Sequence, residues 1–494
     1  MKKLCVLSAL SLTACGGGGG SSPTPSAVIS NSPNTATTQE VTYYREVKNA
    51  IPSLSLYYNK TCKTEANSFI ISPGDLNQDN LKDLLIMLWC PAPNADYTGP
   101  AKNTVISLVQ NNDGTFRMGN QELFGRDTVE TSGVMGEAGD IGIGDYNGDG
   151  KPDIVLASSL EDGRKFVIYP NGGHSWQTTL TVFMSKPDSG YNVEYVGNIW
   201  TYESVAVIKG KNRDMFHSGG RIWSYENNQW VSKTIHYKVD RTAVFFDNYL
   251  TVNVFDGKTI GWQIGTVDTD YSNFTRTQYL HIADLKLVNV YNDSIKGNTQ
   301  EYLSTIDGND YLMPGFNSIC ILPGSTSSEF TIVAELQALK LPEKYTGQKL
   351  EWSVPGKNGN VTWDNYVTKI LTYKVNNGNL TKINYSGLDK DIVNSHYISC
   401  VDMNSDNKKD IFVKRWGHKQ EKSIIFLSDT NGFTEVPENK IPAISPIYNG
   451  HTVLAVDLDN DNKTEIIYGP GTGYKKDYAG LYDDYQVFKP VSPL

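Results

Sequence analysis

Four nine-residue stretches of the chain concentrate oxygen donors at one fixed spacing. At positions one, three, five and nine stand Asp75, Asn77, Asp79 and Asp83 in the first loop, and Asp145, Asn147, Asp149 and Asp153 in the second. The third loop has Asp402, Asn404, Asp406 and Asp410, and the fourth Asp457, Asp459, Asp461 and Glu465. Such side chains converge when the chain curls, and the position-seven carbonyls of Leu81, Lys151, Lys408 and Lys463 complete an all-oxygen shell. A hard cation that takes about six to eight oxygens, calcium above all, suits that donor set. Three carboxylates per loop, four in the last, repel one another unless a cation sits among them. Up to four calcium ions are therefore expected.

The elements that must hold these loops are strands. Ser68–Ile71 precedes the first loop and Leu84–Leu88 follows it; His451–Val456 precedes the fourth and Ile466–Tyr468 follows it. An EF-hand opens with the same spacing but needs a glutamate at position twelve and flanking helices. Position twelve here is Ile86, Leu156 or Val413, inside strands, so that reading is excluded. Asn80, Asn407 and Asn462 stand at position six, where Gly150 stands in the second loop, and Asn, like Gly, tolerates the left-handed conformation. Downstream of the loops recur hairpins with Asn/Gly turns: Ile106–Phe116, Phe166–Gly173, Ile222–Trp230 and Ile424–Phe433.

Acidic loop plus hairpin resembles the FG-GAP or VCBS repeat of the integrin α-subunit head and of bacterial surface proteins. The resemblance implies an all-β chain folded as a β-propeller, with seven four-stranded blades and a calcium loop between the first two strands of four of them. Between Lys186 and Gly315 the loops decay, and Gly197–Tyr202, Phe246–Leu250 and Ile306–Tyr311 read as short ion-free turns in equivalent places. The stretch from 307 to 402 leaves room for an insertion or an eighth blade. Few residues follow Glu465, so a strand near Val41–Arg45 is expected to complete the last blade, which places the calcium-bearing blades side by side.

The chain carries 44 Lys+Arg against 54 Asp+Glu, a net charge of −10, which argues against nucleic acid as a partner. Its 29 Tyr, 16 Phe, 9 Trp and 44 Gly suit aromatic strands and glycine turns. Lys2 and Lys3, an apolar run Leu4–Leu12, and then Leu12-Thr13-Ala14-Cys15 resemble a bacterial lipoprotein signal, with residues 1–14 removed and Cys15 lipidated. Gly16 after that cysteine implies sorting to the outer membrane or cell surface. Residues 15–39 read as a Gly/Ser/Pro-rich tether and 40–494 as one propeller domain. Four cysteines remain, Cys62, Cys90, Cys320 and Cys400, an even number that suggests disulfides in an exported chain. Cys62 with Cys90 is the favoured pair, because the two flank one acidic loop.

No catalytic residue is nominated. The seven histidines share no metal-ligand spacing and read mostly as surface or turn residues, and no nucleophile elbow or phosphate loop occurs. Aromatic residues are the better binding candidates: Trp89, Trp176, Trp200 with Tyr202, Trp223, Trp230, Trp262, Trp352, Trp363, Trp416 and the stretch from Gly471 to Tyr485. The expected function is a non-catalytic, lipid-anchored, monomeric propeller that presents a face to a protein or glycan. The alternative is a polysaccharide lyase or glycosidase on the same scaffold.

Overall fold

The computed structural model describes residues 43–54, 67–89, 101–133, 141–157, 159–160, 165–168, 174–187, 190–200, 205–210, 212–218, 221–234, 241–243, 250–255, 259–265, 274–281, 286–291, 298–306, 309–326, 329–340, 350–351, 366–376, 379–393, 395–415, 422–442, 453–469 and 485–491. The chain divides into Met1–Val41 and Thr42–Leu494. The expected signal, Cys15, the expected tether, Cys62 and Cys90 lie outside the described residues. No helix among them is long and apolar enough to cross a membrane.

The unit Thr42–Leu494 is all-β and propeller-like, with seven sheets among the described residues and one short α-helix, Asn120–Phe124. The first sheet is built on Asn67–Gly74, Asp83–Trp89, Ala101–Gln110 and Val129–Gly133. The second contains Ile141–Gly144, Asp153–Leu156, His174–Ser185 and Tyr191–Trp200. Ala206–Ile208, Met215–Ser218, Arg221–Glu226 and Gln229–Thr234 form the third, and four strands from Arg241–Ala243 to Phe274–His281 the fourth. The sixth runs through Ser395–Val401, Asp410–Arg415, Ile424–Ser428 and Phe433–Glu435.

The seventh sheet joins the two ends of the unit: Val453–Val456, Glu465–Tyr468 and Gln486–Pro490 are completed by Tyr44–Val47 from the N-terminal end. Tyr44 lies opposite Pro490 and Val47 opposite Val487. The sheet edge left by the C-terminal strands is thereby covered, as an edge must be to avoid non-native pairing.

Strand sequences explain the stacking. Leu84, Leu85, Ile86 and Met87 are all fully buried, because the strand after each acidic loop is covered on both faces. Leu84 and Ile86 pack with Leu458, Ile467 and Val487 of the seventh sheet. Leu85 and Met87 pack with Ile141, Ile154 and Phe183 of the second. Val155 turns to Val207, Phe216 and Trp223 of the third sheet. In the sixth sheet Phe412 meets Tyr44 and Ile466, while Ile411 and Val413 meet Cys320, Val333 and Ile370 of the fifth.

Three sequence expectations are corrected. Not every sheet has four strands: among the described residues four of the seven do, and the others have five, six and eight. The eight-stranded fifth sheet fills the stretch before residue 395 with long strands, among them Asn309–Pro323, Glu329–Lys340 and Tyr366–Asn376. Gly197 to Trp200 end the strand Tyr191–Trp200, and the first turn of the third sheet lies instead at 209–214, between Ala206–Ile208 and Met215–Ser218. Apolar Val205–Ile208 is the first strand of its sheet and not the second, a distinction that strand-like composition does not carry. Asp307 and Gly308, like 244–249, lie outside the described residues, but Ile306 pairs with Asn309. The strands Asn298–Ile306 and Asn309–Pro323 pair there, with Lys286–Tyr291 already preceding them in the same sheet.

The hairpins are where the turn chemistry puts them. Asn227 and Asn228 take φ of 49° and 60° in the two-residue turn between Glu226 and Gln229, as a type I′ turn requires. Cys320 and Cys400 form a disulfide that ties the fifth sheet to the sixth, with Cα atoms 5.5 Å apart.

Candidate metal centres

Each acidic loop curls by placing positions four and six in the left-handed region. Gln78 and Asn80, Gly148 and Gly150, Ser405 and Asn407, and Asn460 and Asn462 all have φ between 58° and 80°. The position-one carboxylate holds the curl closed. Asp75 accepts N–H bonds from Asp79 and Asn80 at 3.0 Å each, and Asp145 accepts from Gly148, Asp149 and Gly150 at 2.8, 3.1 and 2.8 Å. The position-five carboxylate then fixes the position-seven peptide whose carbonyl the motif needs. Leu81, Lys151 and Lys408 donate their N–H to Asp79, Asp149 and Asp406 at 2.8 Å, and Lys463 to Asp461 at 2.9 Å.

The position-nine residues are the deepest: Asp83, Asp153 and Asp410 have no exposed surface and Glu465 has 1%. In the first three loops both carboxylate oxygens are engaged by backbone. One accepts the position-two N–H, from Leu76, Tyr146 or Met403, at 2.8, 2.9 and 2.8 Å. The other accepts from the third strand of the sheet, from Gln110, Ser185 or Ser428, at 2.9, 2.7 and 2.7 Å. A single side chain thus fastens the loop to the third strand, a role that the spacing of the motif does not reveal.

Burial pushes Asp83, Asp153 and Asp410 up to about 6, against the backbone bonds that favour their ionised form. The carboxylates of Asp79, Asp149 and Asp406 push the same way. Glu465 is pushed up to about 7, by burial first and by Asp459 and Asp461. A divalent cation among these oxygens would remove that repulsion, and the donors are oxygen only, so the residues fit calcium. Asp457, Asp459 and Glu465 bring carboxylate oxygens within 4.8 Å of one another, the one such trio among the described residues.

The loops also touch each other in a row. Ser405 of the third donates to the Asn462 carbonyl of the fourth at 2.5 Å, and Thr464 returns a bond to the Asp402 carbonyl. Asn460 of the fourth donates to the Asn80 carbonyl of the first, and Lys82 bonds the Asp457 and Leu458 carbonyls. Gln78 of the first reaches the Gly150 carbonyl of the second at 3.2 Å. The second loop meets the turn at 209–214, where Asp145 and Asp214 exchange backbone and carboxylate bonds. There the Lys209 ammonium lies 2.5 Å from the Asp214 carboxylate, a lysine where the other loops gather acids.

The aromatic candidates separate. Trp223 is buried against Phe216 in the core between the second and third sheets. Trp230 is half-buried there, its indole N–H bonded to Glu194 at 2.9 Å. Trp89, Trp176, Trp200 and Trp262 stand on strands, while Tyr202, Trp352, Trp363, Trp416 and 471–484 lie outside the described residues. Exposed Tyr195 was not singled out by sequence. Of the seven histidines, read mostly as surface or turn residues, His217 is fully buried on Met215–Ser218 because that strand is covered on both faces.

Residues 139–175 match the FG-GAP repeat, a span that contains the second loop and both strands flanking it. No curated protein matches the chain.

Proposed function

We propose that the protein is a calcium-stabilised, seven-bladed β-propeller that serves as a non-catalytic binding module, presenting a face to a protein or glycan ligand at the bacterial cell surface. The observation that carries the reading is the contiguous row of four acidic loops, each with a buried position-nine carboxylate and hydrogen-bonded to its neighbour. Calcium in that row would neutralise the carboxylates and hold adjacent sheets together, chemistry that suits a scaffold. In the second loop, Asp145, Asn147, Asp149 and Asp153 with the Lys151 carbonyl would hold the ion. The equivalent residues of the other loops would act in the same way, and the FG-GAP match over the second loop supports this assignment. The lipobox at Cys15 and the Gly-rich segment after it support a lipid-anchored, surface-tethered form.

The test has two parts, both on the full chain. Elemental analysis after dialysis into calcium should find bound calcium, and none would overturn the metal reading. A glycan array and a surface-protein pull-down, each run in calcium and in EDTA, should give calcium-dependent capture. Turnover of a polysaccharide without stable capture would instead favour the lyase or glycosidase alternative.

A further inference from the structure

The fourth loop differs from the others at a position that lies outside the motif. In the first three, a third-strand N–H occupies the second oxygen of the position-nine carboxylate. Strand register identifies the donor: Leu84 faces Leu108 and Gln110 donates, Ile154 faces Phe183 and Ser185 donates, Ile411 faces Phe426 and Ser428 donates. In the seventh sheet Ile466 faces Phe488, so the equivalent residue is Pro490, which has no N–H to give. The same loop carries Glu465 in place of aspartate. Glu465 spends Oε2 on the Leu458 N–H at 2.8 Å, and although 99% buried it reaches into the trio with Asp457 and Asp459. Asp459 Oδ1 is buried there without a hydrogen-bond partner. Its other oxygen takes the Lys489 ammonium at 2.6 Å, so this acidic cluster draws a cation from its own chain.

Position four supplies the second observation. Gln78, Ser405 and Asn460 hold φ of 63°, 65° and 58°, a left-handed conformation that disfavours a non-glycine residue. In each case the side chain repays that cost by donating to the position-six carbonyl of the next loop. The peptide so gripped is the one whose N–H is held by the position-five carboxylate and whose next carbonyl belongs to the ligand set. Gly148, with no side chain, holds position four in the loop whose neighbour is the Lys209–Asp214 turn.

We infer that the fourth loop is the leading cation site of the row, and that its occupancy is passed to the third and first loops through Ser405 and Asn460, which act as positioning residues. This rests on the calcium reading above. Glu465 gives the fourth loop an extra uncommitted carboxylate oxygen, and its place between the third and first loops lets it order both.

Calorimetric titration of the chelator-stripped full chain with calcium tests it. Wild type should show one tight step followed by weaker ones. Glu465→Gln, and separately Pro490→Ala, which restores a competing N–H without touching the loop, should each weaken the first step at least tenfold. Asn460→Gly keeps the left-handed backbone, and should weaken the later steps severalfold more than it weakens the first. Glu465→Gln should melt in EDTA no lower than wild type, since it thins a crowd of like charges and keeps an acceptor for Leu458. A first step untouched by both Glu465→Gln and Pro490→Ala overturns the leading site. Later steps untouched by Asn460→Gly overturn the coupling. Absence of calcium uptake by wild type overturns the cation reading on which both depend.

Discussion

The ammonium of Lys82 donates to the carbonyl of Asp457 at 2.6 Å, joining residues 375 apart in the chain. The backbone N–H of Lys82 bonds Leu458 at 2.9 Å beside it. These contacts cross the seam between the first and seventh sheets, where the two ends of the folded unit meet. Lys82→Met keeps the aliphatic stem and deletes the charged donor, and should cost about 1–2 kcal/mol in urea denaturation. An unchanged midpoint would show that the seam is held by its apolar packing alone.

Calcium should raise the melting temperature, because an ion bound by the folded state alone stabilises it by mass action. Each site would contribute about 2.7 kcal/mol at a hundredfold excess over its dissociation constant. Scanning calorimetry with calcium and with EDTA checks this, and identical traces would exclude a stabilising ion.

Chelated protein should lose stability as pH rises from about 4 to 7. Asp83, Asp153 and Asp410 bind a proton in the folded state up to about 6, against an ordinary 3.8, and Glu465 up to about 7 against 4.5. Folded protein therefore holds more protons than unfolded protein across that window, and the stabilisation present below it is lost as these groups ionise. Calcium should flatten the slope by favouring the ionised form. A melting series in EDTA that rises with pH would contradict this.

Asp153→Asn should be far more damaging than Glu465→Gln. Both oxygens of Asp153 accept backbone N–H bonds, so an amide there turns one acceptor into a donor facing a donor. A loss of about 2–4 kcal/mol is expected from chemical denaturation in EDTA. Only one oxygen of Glu465 has such a duty, and equal losses in the two variants would refute the distinction.

Reducing Cys320–Cys400 should destabilise the protein by roughly 4.5 kcal/mol, the chain-entropy value for a closed loop of this length. The residues are 80 apart and the bridge joins neighbouring sheets. A paired Cys320→Ser/Cys400→Ser variant, melted beside the oxidised protein, reads the loss directly.

Much of the geometry of the candidate site was legible without coordinates, because a curled acidic loop is a local device. Asp75 to Asp83 and its three counterparts could be read, with their flanking strands and the left-handed Asn80, Asn407 and Asn462, since curl and donor spacing are set by near neighbours. Hairpins such as the one at Asn227-Asn228 were legible for the same reason. A strand from the N-terminal end was expected in the last blade, and Tyr44–Val47 stands there.

What the tertiary structure alone decided are relations between segments far apart in the chain. Asp83 and Gln110, Glu465 and Pro490, and Lys489 and Asp459 meet through strand register, which depends on how whole sheets align. Gln78, Ser405 and Asn460 look like tolerated replacements for glycine until the neighbouring loop is in place. The first turn of the third sheet and the eight strands of the fifth were hidden because apolar runs there lack an acidic loop to mark which strand comes first. The acidic motif is written in nine residues, but the row its copies form and the hydrogen bonds between them come from the packing of one sheet on the next.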